Sequence, residues 1–107
     1  MASEWIRVCT VDDVSEDEPH CIEMSDGKKV AVYKVEDEYF STDDLCTHGN
    51  ASLSEGWQEG GRIECPFHGG AFHIKTGEPA NYPCVKPLRT YAVKVEAGEV
   101  YIEYPND

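Results

Sequence analysis

One stretch of this 107-residue chain, from Cys46 to His68, constrains its fold and chemistry more than any other. It begins with Cys-Thr-His and, sixteen residues later, ends with Cys-Pro-Phe-His. Each pair holds two metal-donor side chains close enough together to serve one centre. Cysteine and histidine donors select zinc, copper, or iron with inorganic sulfide. The stretch therefore predicts a metal site with two thiolates and two imidazoles, supplied by Cys46, His48, Cys65 and His68.

Two kinds of centre fit this donor set. A structural zinc module takes a tetrahedral set of two thiolates and two imidazoles. In a [2Fe-2S] cluster of the Rieske kind, two cysteines ligate one iron and two histidines ligate the other. Zinc sites usually use Cys-x2-Cys or His-x3-His pairs, so the mixed pairs found here fit the two-metal cluster better. The sequence favours the cluster and leaves zinc as the alternative from a different functional class.

The motif resembles that of the Rieske-type ferredoxins of bacterial aromatic-ring dioxygenase systems. The resemblance covers nearly the whole chain, since it continues through Gly69, Phe72 and the Thr76-Gly77 turn to an alternating apolar tail at 87–102. It implies an all-β fold, a Rieske-like antiparallel β-sandwich forming a single domain over 1–107. It also implies a small cluster-binding subdomain, over 43–82, inserted in the larger β domain.

The resemblance further implies a soluble one-electron carrier and not an enzyme. Cys46 and Cys65 would hold one iron and His48 and His68 the other, in one [2Fe-2S] cluster per chain. The partners would be an NAD(P)H-dependent flavin reductase, which supplies electrons, and the terminal oxygenase, which receives them. The small Rieske subunit of an assimilatory nitrite reductase is the alternative within the same class. The carrier is expected to be a monomer.

Four positions near the ligands bear on the reduction potential. High-potential members of the family carry a disulfide between the two loops, where this chain has Ala51 and Phe67. They also carry a Ser and a Tyr whose hydroxyls donate to sulfur, where this chain has Gly70 and Phe72. Losing such donors disfavours the more negative, reduced state. We expect a potential near the low end of the Rieske range of roughly −150 to +300 mV.

Size and charge limit the kinds of partner that the protein can bind. The chain carries 9 basic and 21 acidic residues, a net charge of −12, which argues against nucleic acid and anionic membrane surfaces. No stretch approaches the roughly 20 apolar residues that span a bilayer. The N-terminus shows no signal peptide, so the cytoplasm is expected. The first 44 residues hold 13 of the acids, which suits a partner with a basic docking patch. Near the first loop, Asp43, Asp44 and Glu55 are candidate docking residues.

The pattern outside the motif is one of short apolar runs and turns, without sustained 3.6-residue periodicity. Residues 11–14 predict one helical turn, and 25–27 a hairpin turn. Seven of the nine glycines fall between 43 and 82, where tight loops need them. After Pro79, irregular chain is expected around Pro83 and Pro87. Strands are predicted at 5–9, 20–24, 29–35, 39–42, 62–64, 71–74, 91–95 and 100–104.

The remaining chemistry-bearing residues have less specific interpretations. Cys9, Cys21 and Cys84 are interpreted as packing residues in a reducing compartment, with a Cys9–Cys84 disulfide left open. His20 has no partner at ligand spacing, and His73 is interpreted as a surface or strand histidine. An oxygenase would need two further histidines and a carboxylate for a catalytic iron, and the length leaves no domain for a substrate. Pro66 is expected to stiffen the second loop, and Trp57 to shield the cluster or pack in the core.

Overall fold

The structure, a computed structural model, describes residues 2–16, 18–46, 51–66, 70–81 and 86–106. These residues form three antiparallel sheets and two single turns of 3-10 helix, at Val11–Asp13 and Leu53–Glu55. No helix among them is long and apolar enough to cross a membrane. The predicted all-β antiparallel fold is confirmed. In chain order the strands are β1 (Ala2–Thr10), β2 (His20–Glu23), β3 (Lys29–Val35), β4 (Glu38–Asp43), β5 (Trp57–Glu59), β6 (Arg62–Glu64), β7 (Ala71–His73), β8 (Pro79–Asn81), β9 (Thr90–Tyr91), β10 (Val93–Glu96) and β11 (Glu99–Asn106).

The first sheet has the strand order β1-β11-β10. β1 pairs with β11 along its length, with a bulge between Arg7 and Cys9. β10 and β11 form the predicted hairpin, whose turn residues Ala97 and Gly98 have φ angles of 52° and 78°. This sheet therefore joins the two ends of the described chain.

The second sheet has the order β2-β3-β4-β9. The predicted turn between β2 and β3 is confirmed, with Gly27 at a φ of 89°. Between β3 and β4, Glu36 and Asp37 have φ angles of 49° and 71°. Positive φ at both central residues gives a two-residue turn whose twist matches that of the flanking strands. This turn sets the register in which β4 leads toward the first motif segment.

The third sheet, β5-β6-β7-β8, is formed wholly by chain between β4 and β9. Its inner face carries Ile63 and Phe72, cross-strand partners that are both fully buried. The other face carries Trp57 and Glu64, which pair across β5 and β6 and are exposed. The sheet lies within the range predicted for an inserted subdomain, and the boundaries 43–82 stay a prediction.

β3 links the packing of the second sheet to both other sheets because its residues alternate between two layers. Tyr33 and Val35 belong to the cluster of buried side chains that also contains Cys46 and Cys65. Val30 and Val32 belong to two further clusters, which contain residues of β11. With both faces covered, β3 is buried at five of its seven positions. It forms the floor on which the motif cysteines pack.

One strand prediction is wrong, and strands β5 and β8 were not predicted. The strand predicted at 91–95 is interrupted at Ala92, because Tyr91 pairs with Ser41 in the second sheet while Val93 pairs with Ile102 in the first. Alternating apolar residues are expected in a strand of either sheet. The sequence pattern therefore did not show that the chain passes from the second sheet to the first at Ala92. β8 begins at Pro79, where no strand was predicted. A proline is tolerated there because β8 is an edge strand with one unpaired side.

The cysteines outside the motif behave differently from one another. Cys9 is 3% exposed, as predicted for a packing residue, and forms no disulfide. The same prediction is wrong for Cys21, which is exposed. Cys21 lies on β2, an edge strand whose alternate residues face solvent. Cys84 lies outside the described residues.

Candidate metal centre

The first motif segment begins just beyond β4. Leu45 pairs with Ser52 in an isolated antiparallel bridge. One residue further in, the N–H of Cys46 donates to the carbonyl oxygen of Ala51 at 2.9 Å. Cys46 therefore stands at the base of a segment closed by its own backbone hydrogen bond, with four residues of sequence between the bonded ends.

The second motif segment has the same construction at the end of β6. Glu64 pairs with Ala71, and the N–H of Cys65 donates to the carbonyl oxygen of Gly70 at 2.7 Å. The closing bond again joins a cysteine to the residue five positions later. Two segments of equal span thus each present a cysteine at the same base position.

The two cysteine side chains lie in one buried cluster. Cys46 is 2% exposed and Cys65 is 1% exposed, and neither is in a disulfide. His48 and His68, the other two predicted ligands, lie outside the described residues. Within the described ranges, no group of three or more Cys, His, Asp and Glu side chains is arranged to hold a metal. The structure therefore brings together the sulfur half of the predicted donor set.

This sulfur half fits an iron-sulfur cluster. Soft thiolate donors shielded from water are the ligands that iron with inorganic sulfide selects. The surrounding cluster is apolar, with Phe72 fully buried and Ala51 4% exposed. At these two positions the chain offers neither a hydroxyl donor nor a cysteine for a loop-to-loop disulfide. The low potential expected from the sequence stays a prediction.

Gly56 allows the chain after the first segment to lie against the second. A Cβ at this position would meet the carbonyl oxygen of Glu64 at 1.9 Å and the Cδ of Pro66 at 3.2 Å. Any side chain there would push the two stretches apart. The sequence analysis associated glycines with the loops but did not single out Gly56, since a lone glycine gives no sign of which backbone it approaches.

Asp44 has a different role from the docking role considered for it. It is 2% exposed, and its Oδ1 accepts the N–H of Ser54 at 2.9 Å. Its Oδ2 accepts the hydroxyl of Ser52. The carbonyl oxygen of Asp44 also accepts the N–H of Leu53 at 2.7 Å. The docking interpretation of Asp44 is wrong because its carboxylate is directed inward. It stabilises the 3-10 turn that follows the first segment. No local sequence pattern predicts this role.

Asp43 is also engaged within the protein. Its Oδ1 accepts the Tyr91 hydroxyl at 2.5 Å and lies 3.1 Å from the Lys28 Nζ. Burial raises the pKa of Tyr91, and the hydrogen bond to Asp43 raises it further. Glu55, in contrast, is exposed. Of the three candidate docking acids, Glu55 is exposed, Asp43 is partly buried and Asp44 is buried.

Two large apolar side chains close to the motif segments are exposed. Leu45 is 58% exposed and directly precedes Cys46, and Trp57 is 62% exposed beside Gly56. Trp57 was expected to shield the cluster or pack in the core; core packing is wrong, because Trp57 lies on the outer face of the third sheet, and shielding of the cluster stays a prediction. His73 is exposed on β7, as predicted for a strand histidine.

Comparisons with known proteins agree with this geometry. Residues 4–92 match the family model described as the Rieske [2Fe-2S] domain. Ferredoxin CarAc of Metapseudomonas resinovorans is 47% identical over 102 residues, covering 95% of this chain and 95% of that protein. The structure of the Sphingomonas yanoikuyae B1 ferredoxin has a TM-score of 0.92 at 47% identity, covering 95% of this chain and 100% of that one. A chain in the complex of reduced oxygenase and oxidized ferredoxin in carbazole 1,9a-dioxygenase has a TM-score of 0.88 at 44% identity, covering 96% and 97%.

Proposed function

Because the chain belongs to the Rieske [2Fe-2S] domain family, we propose that Cys46, His48, Cys65 and His68 hold its single [2Fe-2S] cluster. The observation that carries this proposal is the pair of buried thiols at equivalent positions of two equal segments. The histidines follow their cysteines by two and three residues, within the span that each closing hydrogen bond encloses. When bound, the cluster supplies one-electron redox chemistry.

The protein acts as a one-electron carrier and not as an enzyme. Its own residues do three things toward that end: they hold the thiols, exclude water from them, and place no hydroxyl at positions 51 and 72. Phe72 and Ala51 serve the last two roles. The proposed potential therefore lies near the low end of the Rieske range, and a midpoint above about +100 mV would contradict this part of the proposal.

The proposed partners are an NAD(P)H-dependent flavin reductase and the terminal oxygenase of an aromatic-ring dioxygenase. Support comes from the relatives at 47% and 44% identity, one of which was solved with an oxygenase. The net charge of −12 suits partners with basic docking patches. We also propose that the protein is a monomer in the cytoplasm, where reduced nicotinamide cofactor reaches such a reductase, with 43–82 as its cluster-binding subdomain.

The ligand assignment is tested by metal analysis and electron paramagnetic resonance of the reduced protein. We expect two irons and two sulfides per chain and a signal of mixed sulfur and nitrogen ligation. Cys46→Ser, His48→Ala, Cys65→Ser and His68→Ala should each lose that signal. His73→Ala is the matched control, since His73 is exposed and close in sequence to the second segment. A colourless protein with one zinc would establish the zinc alternative instead.

The partner assignment needs a separate experiment. The reduced carrier is mixed with an aromatic-ring dioxygenase and its flavin reductase, and ring oxidation is measured with and without the carrier. The nitrite reductase alternative is tested in parallel with nitrite and the corresponding large subunit. Oxidation of the ring, without stimulation of nitrite reduction, is the expected result. The opposite pattern would replace the dioxygenase assignment and leave the ligand assignment intact.

A further inference from the structure

A buried carboxylate stands two residues before the first proposed ligand. Asp44 is 2% exposed, and Ser41 and Thr42 are the other buried polar residues in the described part of the chain. Its two oxygens accept hydrogen bonds from the Ser54 N–H and the Ser52 hydroxyl. Both donors are neutral. They orient the carboxylate but leave its net charge in place.

The adjacent carboxylate provides a contrast. Asp43 has a cationic partner, Lys28, at 3.1 Å, and its side chain is 21% exposed. Among the described residues, no Lys, Arg or His comes within ion-pair distance of Asp44. Asp44 is therefore a buried negative charge without a counter-ion in the described ranges. Such a charge acts on its surroundings more strongly than an exposed one, because little solvent screens it.

A neighbouring thiol responds to the same carboxylate. The Cys21 thiol on β2 lies close to Asp44 and Ser54. Partial burial raises the pKa of Cys21, and the negative charge of Asp44 raises it further. Cys21 is exposed at the sheet edge, so a longer side chain there can reach both solvent and Asp44. This contact offers a way to neutralise Asp44 without replacing it.

We propose that Asp44 is a positioning residue with an electrostatic role, which anchors the turn after the first segment and whose charge lowers the reduction potential of the centre. The inference rests on the proposed ligand set, because it requires a redox centre at Cys46. Reduction adds one negative charge to that centre, and a fixed negative charge nearby opposes it. Asp44 thereby adds to the effect of the missing hydroxyl donors in favouring electron release.

The test is a redox titration of purified, cluster-loaded variants at low and high ionic strength. Asp44→Asn keeps the size and much of the hydrogen bonding but removes the charge. We expect the equilibrium constant for reduction to rise about tenfold, which is 59 mV for one electron. The rise should persist in high salt, because a buried charge is poorly screened. A change of less than twofold would overturn the proposal.

Two carboxylates serve as matched controls for the loss of one charge. Asp43→Asn removes a carboxylate that is partly exposed and therefore better screened by solvent than Asp44, and Glu55→Gln removes an exposed one. Each should change the equilibrium constant by less than about twofold, and the Glu55 effect should vanish in high salt. Equal shifts in all three variants would show that only the total charge matters, which also overturns the role given to Asp44.

A second pair of variants covers the case in which Asp44→Asn fails to fold or load. Cys21→Lys places a cation beside Asp44 while leaving its hydrogen bonds with Ser52 and Ser54 in place. We expect it to raise the equilibrium constant for reduction by at least threefold, whereas the neutral Cys21→Gln leaves it unchanged. Equal potentials in these two variants would overturn the proposal. If the ligand set itself were wrong, the unmodified protein would lack the mixed-ligand resonance signal, so the two failures are distinguishable.

Discussion

Gly56 lies directly against the carbonyl oxygen of Glu64, so closely that a methyl group on Gly56 would stand 1.9 Å from that oxygen. Glu64 precedes Cys65, so this contact sets how near the chain leaving the first motif segment comes to the second. The contact is between backbone atoms and cannot be relieved by rotating a side chain.

Gly56→Ala should therefore destabilise the protein and weaken its hold on the cluster. Forcing an extra carbon into a packed site costs about 1–3 kcal/mol, measured as the loss in free energy of unfolding in urea. Gly61→Ala is the control, because a Cβ at Gly61 meets nothing within 4 Å. Equal stability and iron content in the two variants would refute the role assigned to Gly56.

Tyr104 should make the protein less stable in alkali. Burial raises its pKa to about 12, and the hydrogen bond to the Asp26 carboxylate adds to the shift. An unfolded tyrosine ionises near pH 10, so between about pH 10 and 12 the unfolded state binds fewer protons than the folded one. The free energy of unfolding should therefore fall as the pH rises through this window. Below about pH 10 the stabilising contribution of Tyr104 is fully present.

Tyr104→Phe removes that contribution. Urea unfolding at several pH values should show that the free energy of unfolding falls less steeply with pH in this variant. The difference in slope should be at most about 1.4 kcal/mol per pH unit, the value for one proton. Tyr101→Phe provides a tyrosine control in the same strand. A decline of the same slope in all three proteins would mean that other groups govern the alkaline transition.

Glu55 should take part in docking. It is exposed and ends the 3-10 turn that follows the first segment. Glu55→Lys replaces attraction to a basic partner with repulsion, so the electron-transfer rate to the oxygenase at low salt should fall roughly threefold or more. Glu4→Lys on β1 makes the same charge change in a sheet that contains neither motif cysteine. Rates that fall equally for both variants would indicate an effect of net charge alone.

The Tyr33 hydroxyl should stabilise the floor beneath the centre. Tyr33 is fully buried, and its hydroxyl lies 2.8 Å from the Thr42 Oγ1. That hydroxyl of Thr42 donates to the Asp43 carbonyl at 2.8 Å, so Tyr33 is the donor between the two. Tyr33→Phe should cost about 1 kcal/mol in the free energy of unfolding. Tyr39→Phe, on the partly exposed part of β4, should cost less, and the reverse order would contradict the assignment.

The sequence predicted those parts of the fold whose signals are local. Extended apolar runs located β3 and the β10–β11 hairpin, and Gly27 marked the turn between β2 and β3. The crossing at Ala92 was missed because inward-facing residues look the same whichever sheet they belong to. Cys21 was misplaced for a related reason: composition tells how often cysteine is buried but not which side of an edge strand faces solvent.

For the candidate centre, spacing predicted four donor residues, of which the structure brings Cys46 and Cys65 together, whereas the residues that support them could not be predicted. Asp44 contacts Ser52 and Ser54, eight and ten residues away, and its burial depends on the chain folding back over it. Gly56 approaches Glu64 only after two strands have paired. Such contacts form only in the tertiary structure. The sequence contains the residues that take part but does not show that they come into contact.

The equal backbone closures at Cys46 and Cys65 determine when the sulfur donors are ordered. Each cysteine is tied to its own segment through its amide, so the loss of chain entropy at these two positions accompanies folding of the polypeptide and is not incurred again when iron and sulfide arrive. Assembly of the proposed cluster would then begin from two anchored attachment points, and none of its binding energy would be spent on ordering these two cysteines.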